Sequence, residues 1–361
     1  MLHTAPHTLF YKFRKTPAAE KNADRNMSNH DVIRALAPLI PPEECALEMV
    51  AVARRKHRQG WIKLFVSSVC GGVMQSIGAF VSITAQGNSV SGQQVGGEND
   101  WLPKVPEAAA YSIGLILITM FGLDLFNSNI LFFTVGCATR KLSVWALLRS
   151  WVVSWFGNLG GALFVSYIFA YSTGLARSEG MVNASYVAVN AKLTNPTWAQ
   201  LFARAVACNA LVCMGIYMSF MCRTFVAKYL ALLIPVFAFV YIGFDHVVAD
   251  MFIISLGLFN GSPHSVGLFI HKSLVGVSVG NIVGGGVFAI VVPWYLHYFT
   301  VKALHIKDPI AGVSQDGIQI GTEVGEEDEP KEEPSSFSAG EPDSPTQAPS
   351  ARVGLHAQSP V

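Results

Sequence analysis

Asp245 and His246 stand side by side inside an apolar run that extends from Leu230 to Phe259. Ionisable groups are costly at such depth in a hydrophobic segment, so a pair of them points to function. An imidazole there can hydrogen-bond a ligand or pass a proton near neutral pH; a core histidine satisfied by its neighbours is the plainer alternative. The carboxylate can hold a cation or, as the better-suited role, cap the helix that follows. The stretch has a partner upstream. GLDLFNSNILFFTVG, Gly122 to Gly136, lies over GFDHVVADMFIISLG, Gly243 to Gly257, at one constant shift and without gaps. Gly122 meets Gly243, Asp124 meets Asp245, Asn129 meets Asp250 and Thr134 meets Ser255. Each stretch is apolar sequence interrupted by Gly-x-Asp. Matching interruptions in two halves of a hydrophobic chain are the best sequence pointer to a transporter's binding site.

The elements that must carry these residues follow from composition and hydropathy. The chain has 361 residues, 51% hydrophobic and only 14% charged, with mean hydropathy +0.40. That composition belongs to a polytopic membrane protein. A net charge of +1 offers no handle for nucleic acid. The six cysteines form no C-x-x-C pair, so neither a zinc site nor a disulfide framework is indicated, and no cofactor is expected. Six apolar stretches meet the length needed to cross a bilayer. They run from Trp61 to Ala85, from Glu107 to Ala138 with a break at Gly122 to Ser128, and from Val144 to Tyr171. The remaining three run from Thr197 to Met221, from Ala227 to Leu258 with a break at Gly243 to Asp245, and from Lys272 to Val301. Polar loops separate them, the longest from Ser172 to Pro196. Before the first span, Pro41 to Arg58 reads as an amphipathic helix on the membrane surface. The organisation is therefore a cytoplasmic N-terminal region over 1–58, a six-span domain over 59–301, and an acidic, Pro- and Ser-rich tail over 302–361 that is expected to be disordered.

Basic residues fix the orientation. Arg54, Arg55, Lys56, Arg58, Arg140, Lys141, Arg223, Lys228, Lys302 and Lys307 fall on one side, against Lys104, Arg177 and Lys192 on the other. Both termini are expected in the cytoplasm. Asn183-Ala184-Ser185 is then an external sequon, used or unused.

The duplication extends beyond the breaks. FVSSVCGGVMQSIGAFVS from Phe65 lies over FARAVACNALVCMGIYMS from Phe202, and NLGGALF from Asn158 matches NIVGGGVF from Asn281. Repeats over 61–171 and 197–301 result. Three spans per repeat is an odd number, so the second repeat must be inverted about an axis in the membrane plane. Broken spans leave backbone N–H groups free near Asn127 to Ile130 and His246 to Ala249, and two such ends meeting at mid-membrane suit an anion. Leu125, Phe126, Phe239 and Tyr111 around the breaks are bulky enough to close a narrow pore to hydrated ions.

GLDLFNSN followed by NLGGALF, and GFDHVVADMF followed by NIVGG, resemble the formate/nitrite transporter family over about Glu44 to Val301. The tails are similar to those of the lactate/formate–proton symporters of apicomplexan parasites. The resemblance implies an aquaporin-like fold and a homopentamer with one pore per subunit. It puts His246 on the family's central pore histidine, Asn209 on an asparagine that contacts it, and Leu125, Phe126 and Phe239 on constrictions. Lys56 and Lys192 fall on vestibule lysines, the second after a one-residue gap. Asn127 stands where many members have Thr, and Asp245 where Glu is more usual.

The sequence is thus that of an all-α, integral multi-pass protein expected in the plasma membrane. Its function reads as proton-coupled passage of small monocarboxylates such as lactate and formate, with no chemical bond changed. An electrogenic formate or nitrite channel without proton coupling is the alternative. An intramembrane aspartyl protease is remote, because no G-x-G-D stands at the second break. A water channel is disfavoured, because the only NPx triplet, Asn195-Pro196-Thr197, lies in a loop. The tail is too polar to pack onto the spans. A chain cut after Asp308 is expected to keep substrate uptake in proteoliposomes, and a folded but inactive truncation would contradict this reading of the tail.

Overall fold

In a computed structural model of the chain, residues 39–89 and 104–300 are described. The N-terminal region before Leu39, the segment 90–103 and the acidic tail, with its disorder expectation, lie outside them. Ten helices of at least eight residues follow in order. They are α1 (Pro42–His57), α2 (Trp61–Ser89), α3 (Lys104–Phe121), α4 (Phe126–Ala138), α5 (Val144–Tyr171), α6 (Glu179–Val189), α7 (Trp198–Met221), α8 (Phe225–Ile242), α9 (Val247–Phe259) and α10 (Val266–Phe299). Among the described residues there is no strand, only an isolated bridge between Leu39 and Cys222.

Six helices, α2, α3, α5, α7, α8 and α10, are long and apolar enough to cross a membrane. The distribution of side chains is that of a protein in lipid. Large apolar residues point outward, with Ile62 at 82% exposure and Trp145 at 68%. Asn127, Asn158, Asn209, Asn281, Asp124 and Asp250 are buried completely. With no water at hand, the polar groups go inside, where they can satisfy one another.

Spans two and five are broken as the sequence indicated. Gly122, with φ 65°, ends α3 and Gly243, with φ 89°, ends α8. A left-handed residue stops the helix and turns the chain, and glycine does this without a Cβ clash. The N–H of the next residue reaches back to the same carbonyl in each half: Leu123 to Ile118 at 3.0 Å and Phe244 to Phe239 at 2.9 Å. After three or four non-helical residues the chain resumes as α4 and α9, thirteen residues each.

The two halves repeat each other contact by contact. In the first, α2 packs against α3 and α5; in the second, α7 packs against α8 and α10. The crossings are close because glycines allow it. A Cβ on Gly161 would strike the Val69 carbonyl, and a Cβ on its counterpart Gly284 would strike the Val206 carbonyl.

Two readings need revision. The stretch from Ser172 to Pro196 is largely helical: α6, capped by a π-helical turn at Asn190–Thr194, packs against α2 and α9. Asn183 is therefore on a helix, and the hydroxyl of Ser185, the sequon's third residue, is buried and bonded to the Val182 carbonyl. The apolar side of α1 faces protein, with Cys45, Met49 and Ala53 fully covered by packing against α4, α7 and the end of α10. Helices α1 and α6 are counterparts. Each leads its half and packs on that half's second half-helix.

The glycine crossings give a test with its own control. Gly284→Val places a branched side chain against the α7 backbone, and overpacking of this kind costs about 1–3 kcal/mol. Gly286 has open space where a Cβ would go, so Gly286→Ala should be neutral or slightly stabilising. Thermal unfolding in detergent is expected to fall clearly for the first and not for the second.

Candidate functional site

The site is built where α4 and α9 begin. The first-turn N–H groups of a helix have no partner within it, and here the partner comes from another span. The Asn158 side-chain oxygen on α5 accepts from the Phe126 N–H at 2.7 Å, while its amide donates to the carbonyls of Ser68 at 2.7 Å and Asp124 at 3.0 Å. Asn281 on α10 does the same in the other half. Its oxygen accepts from the Val247 N–H at 3.0 Å, and its amide donates to Ala205 at 2.8 Å and Asp245 at 3.1 Å. These two asparagines cap the half-helices. Asp124 and Asp245 do not, contrary to the sequence expectation. The residues at the cap positions are Leu125 and His246.

The carboxylates turn to lysines instead. Asp124 meets Lys56 of α1 at 2.8 Å, and Lys56 also donates to the Leu123 carbonyl. Asn129 donates to the same Asp124 oxygen at 3.1 Å. In the other half, Lys192 from the turn after α6 lies 3.0 Å from Asp245 and 2.6 Å from Asp250. Burial alone would favour a neutral Lys192, but Asp250 and Asp245 outweigh it and hold its pKa above the ordinary lysine value. The two lysine side chains are only 9% and 15% exposed, and each is committed to a carboxylate. They are not the free cations that anion attraction in two vestibules requires; a paired charge projects little field.

The breaks meet at one atom. The Asn281 side-chain oxygen that caps α9 also accepts from the Asn127 amide of α4, at 2.9 Å. Asn127 donates to the Asn209 oxygen at 3.2 Å as well, and Asn209 donates to the Asn281 carbonyl at 2.8 Å. Asn209 is thus engaged with Asn127 and Asn281, and among the described residues it makes no hydrogen bond to His246. The Asn127 side-chain oxygen is buried and has no hydrogen-bond partner among the described residues.

His246 is 2% exposed. Its Nδ1 accepts the Ala249 N–H at 3.2 Å, so the neutral ring carries its hydrogen on Nε2. The ring stacks on Phe239 at 6.0 Å and lies edge-on to Tyr111 at 6.5 Å, and Tyr111 lies edge-on to Phe239 at 5.6 Å. Phe239, Tyr111 and His246 form one aromatic cluster in the second half's break. In the first half's break Leu125, which stands where His246 does, and Phe126 are both buried.

Two half-helices that converge nose to nose inside a six-span bundle, with a buried imidazole at the junction, define a membrane transport protein. Residues 43–295 match the formate/nitrite transporter family model, and the chain belongs to that family, whose members are transporters and channels rather than enzymes. It is 37% identical over 263 residues to an uncharacterized transporter of Saccharomyces cerevisiae, a match covering 73% of this chain and 41% of the yeast protein. It is 33% identical over 270 residues to a probable formate transporter of Methanothermobacter thermautotrophicus, covering 71% of this chain and 96% of that one. Among solved structures, a pentameric formate channel with formate bound shares the fold. Its TM-score is 0.56 and its identity 26%, over 67% of this chain and 98% of that one.

Asn158 and Asn281 were visible in the sequence only as repeated motif letters. Their role comes from a span distant in sequence, which no local signal reports. The ion pairs give a direct test. Lys56→Met strands the buried Asp124 and should cost about 3–5 kcal/mol. Adding Asp124→Asn removes the stranded charge and should recover most of the loss, as read by thermal unfolding in detergent. Equal stability of the single and double variants would show that the pair is not energetically coupled.

Proposed function

We propose that the chain moves small monocarboxylates such as lactate and formate together with a proton. The observation that carries this reading is that one oxygen, of Asn281, accepts both from the Val247 N–H, next to His246 in sequence, and from the Asn127 side chain in the first turn of α4. Helix N-termini favour negative charge, and Nε2–H of His246 is a donor for a carboxylate oxygen. Desolvation raises a weak acid's pKa as it enters the low-dielectric junction. The anion takes a proton there, from bulk water or through His246, and the neutral acid passes the Phe239–Tyr111 cluster or Leu125 and Phe126. The unpaired Asn127 oxygen supports this, because it can accept the O–H of a protonated acid and has nothing to offer an anion. Transport is then driven by the anion and proton gradients together.

By likeness to the pentameric formate channel, five copies are proposed to assemble with one pore in each. The asymmetry of basic residues supports cytoplasmic termini, and the plasma membrane is the proposed location. A channel mode that conducts the anion alone is the second reading, favoured by the likeness to that formate-bound channel; current at fixed, symmetric pH separates it from symport.

His246→Phe keeps a ring and removes both nitrogens. A severe loss of pH-driven lactate or formate uptake is expected, on the order of the 10²- to 10⁴-fold that a positioned proton-transfer group contributes. His246→Asn keeps a donor without titration near neutral pH. Retained pH-driven uptake in that variant assigns the proton to bulk water and the ring to docking. Anion current without proton coupling assigns the relay to the ring. Normal uptake by well-expressed His246→Phe would remove the site from this place in the fold.

A further inference from the structure

The two lysine groups are twins with one difference. In the first half Lys56 faces one carboxylate, Asp124, and the third member is the neutral Asn129. In the second half Lys192 faces two, because Asp250 of α9 stands where Asn129 stands in α4. All of these residues but Lys192 are buried, and Lys192 is nearly so. The first group sums to zero charge; the second, fully ionised, sums to minus one. The groups facing Asp250 do not redress this. Ser273 of α10 donates to its second oxygen at 2.9 Å, Tyr111 of α3 and Cys208 of α7 lie within electrostatic reach as neutral groups, and His246 is held neutral by its bond from Ala249. Glu107 of α3 faces Lys192 from farther out, while the Lys272 ammonium is taken up by the carbonyls of Leu193 and Pro196. An uncompensated buried charge neutralises rather than persists, and two carboxylates sharing one site cannot both stay ionised at little cost.

We propose that Asp250 makes the Lys192 group a proton-binding site: Asp245 and Asp250 hold one proton between them, and the matching Lys56 group holds none. With the proton in place, an anion entering the break beside His246 meets a neutral wall. When pH rises and the proton leaves to water, the wall carries one negative charge and repels the anion. The proton-binding claim stands on the geometry alone; its consequence for anion entry rests on the monocarboxylate reading above.

Infrared difference spectra of the full-length protein in proteoliposomes, recorded on titrating from acid to about pH 8, test it directly. Above about pH 6 ordinary carboxylates are ionised, so a protonated-carboxyl C=O band persisting there and bleaching at higher pH is expected in the unsubstituted protein, and also in the Glu107→Gln background in which every Asp variant is made so that Glu107 contributes none of the band. Asp250→Asn balances the Lys192 group and should abolish the band; Asp124→Asn should leave it. Should Asp250→Asn fold poorly, Asn129→Asp gives the converse, since it recreates the imbalance in the first half and should add a second band. No band in the unsubstituted protein, or a band surviving in Asp250→Asn, overturns the proposal. In the same vesicles, Asp250→Asn should raise formate conductance at alkaline pH several-fold. A band that behaves as expected in protein that carries neither formate nor lactate would leave the proton site standing and remove the monocarboxylate reading. Uptake without the band would do the reverse.

Discussion

One oxygen atom holds the two halves of this protein in register. The Asn281 side-chain carbonyl accepts from the Val247 N–H at the start of α9 and from the Asn127 amide in the first turn of α4. A helix that breaks inside a bilayer must find partners for its exposed backbone groups within the protein, because lipid offers none. Asn281 meets that need for its own half and at the same time fixes where the other half's break lies. Its amide locks the rest of the geometry by reaching the Ala205 and Asp245 carbonyls on either side. The close approach of α10 to α7, enforced at Gly284, brings the asparagine near enough to do this. Packing by glycine and capping by asparagine are therefore one device, and it occurs twice.

The same economy governs charge. Each break carries an aspartate whose carboxylate would be intolerable alone in a low-dielectric interior. Each is met by a lysine, from α1 in the first half and from the turn that follows α6 in the second. The lead helices thus belong to the working fold although neither crosses the membrane by length. Pairing makes the first break electrically quiet, and the second as well while its two carboxylates share a proton; the field left at the junction is then set mostly by the half-helix ends. Backbone dipoles are fixed in place and cannot turn away from a ligand, which favours them over mobile side chains as the anion-attracting element.

Much of this was legible in the sequence. The Gly-x-Asp breaks, the constant shift between Gly122–Gly136 and Gly243–Gly257 and the inverted three-span repeat follow from residue type and spacing, and family membership agrees with them. What failed were readings that depend on partners far along the chain. Aspartate before a helix is a good capping signal, and it misled because Lys56 and Lys192 compete for the carboxylates and Asn158 and Asn281 replace them at the N–H groups. The segment 172–196 looked like a loop because Ser, Gly and Asn are frequent in it. Its helix is held by packing on α2 and α9, which overrides weak local propensity. The available signal was the alignment of Lys192 with Lys56, which marks the leading helix as part of the duplication.

The departures from symmetry are more informative than the symmetry. Asn158 and Asn281, Asp124 and Asp245, Gly122 and Gly243, and Gly161 and Gly284 are paired in kind and in contact; they build the scaffold. Among the positions that depart from it are four at or beside the breaks. Leu125 is matched by His246, Asn129 by Asp250, Val248 by Asn127, and Gly72 by Asn209. A twofold scaffold with identical walls would present the same chemistry from both sides and could not hold a titratable group at one end of the junction and an apolar plug at the other. In this chain the imidazole and the surplus carboxylate fall in the second half's break, and the linking amides Asn127 and Asn209 reach toward Asn281 from opposite halves. The asymmetry of the breaks is thus carried by side chains such as these, set on a frame whose two halves share their helix order, their glycine crossings and their capping asparagines.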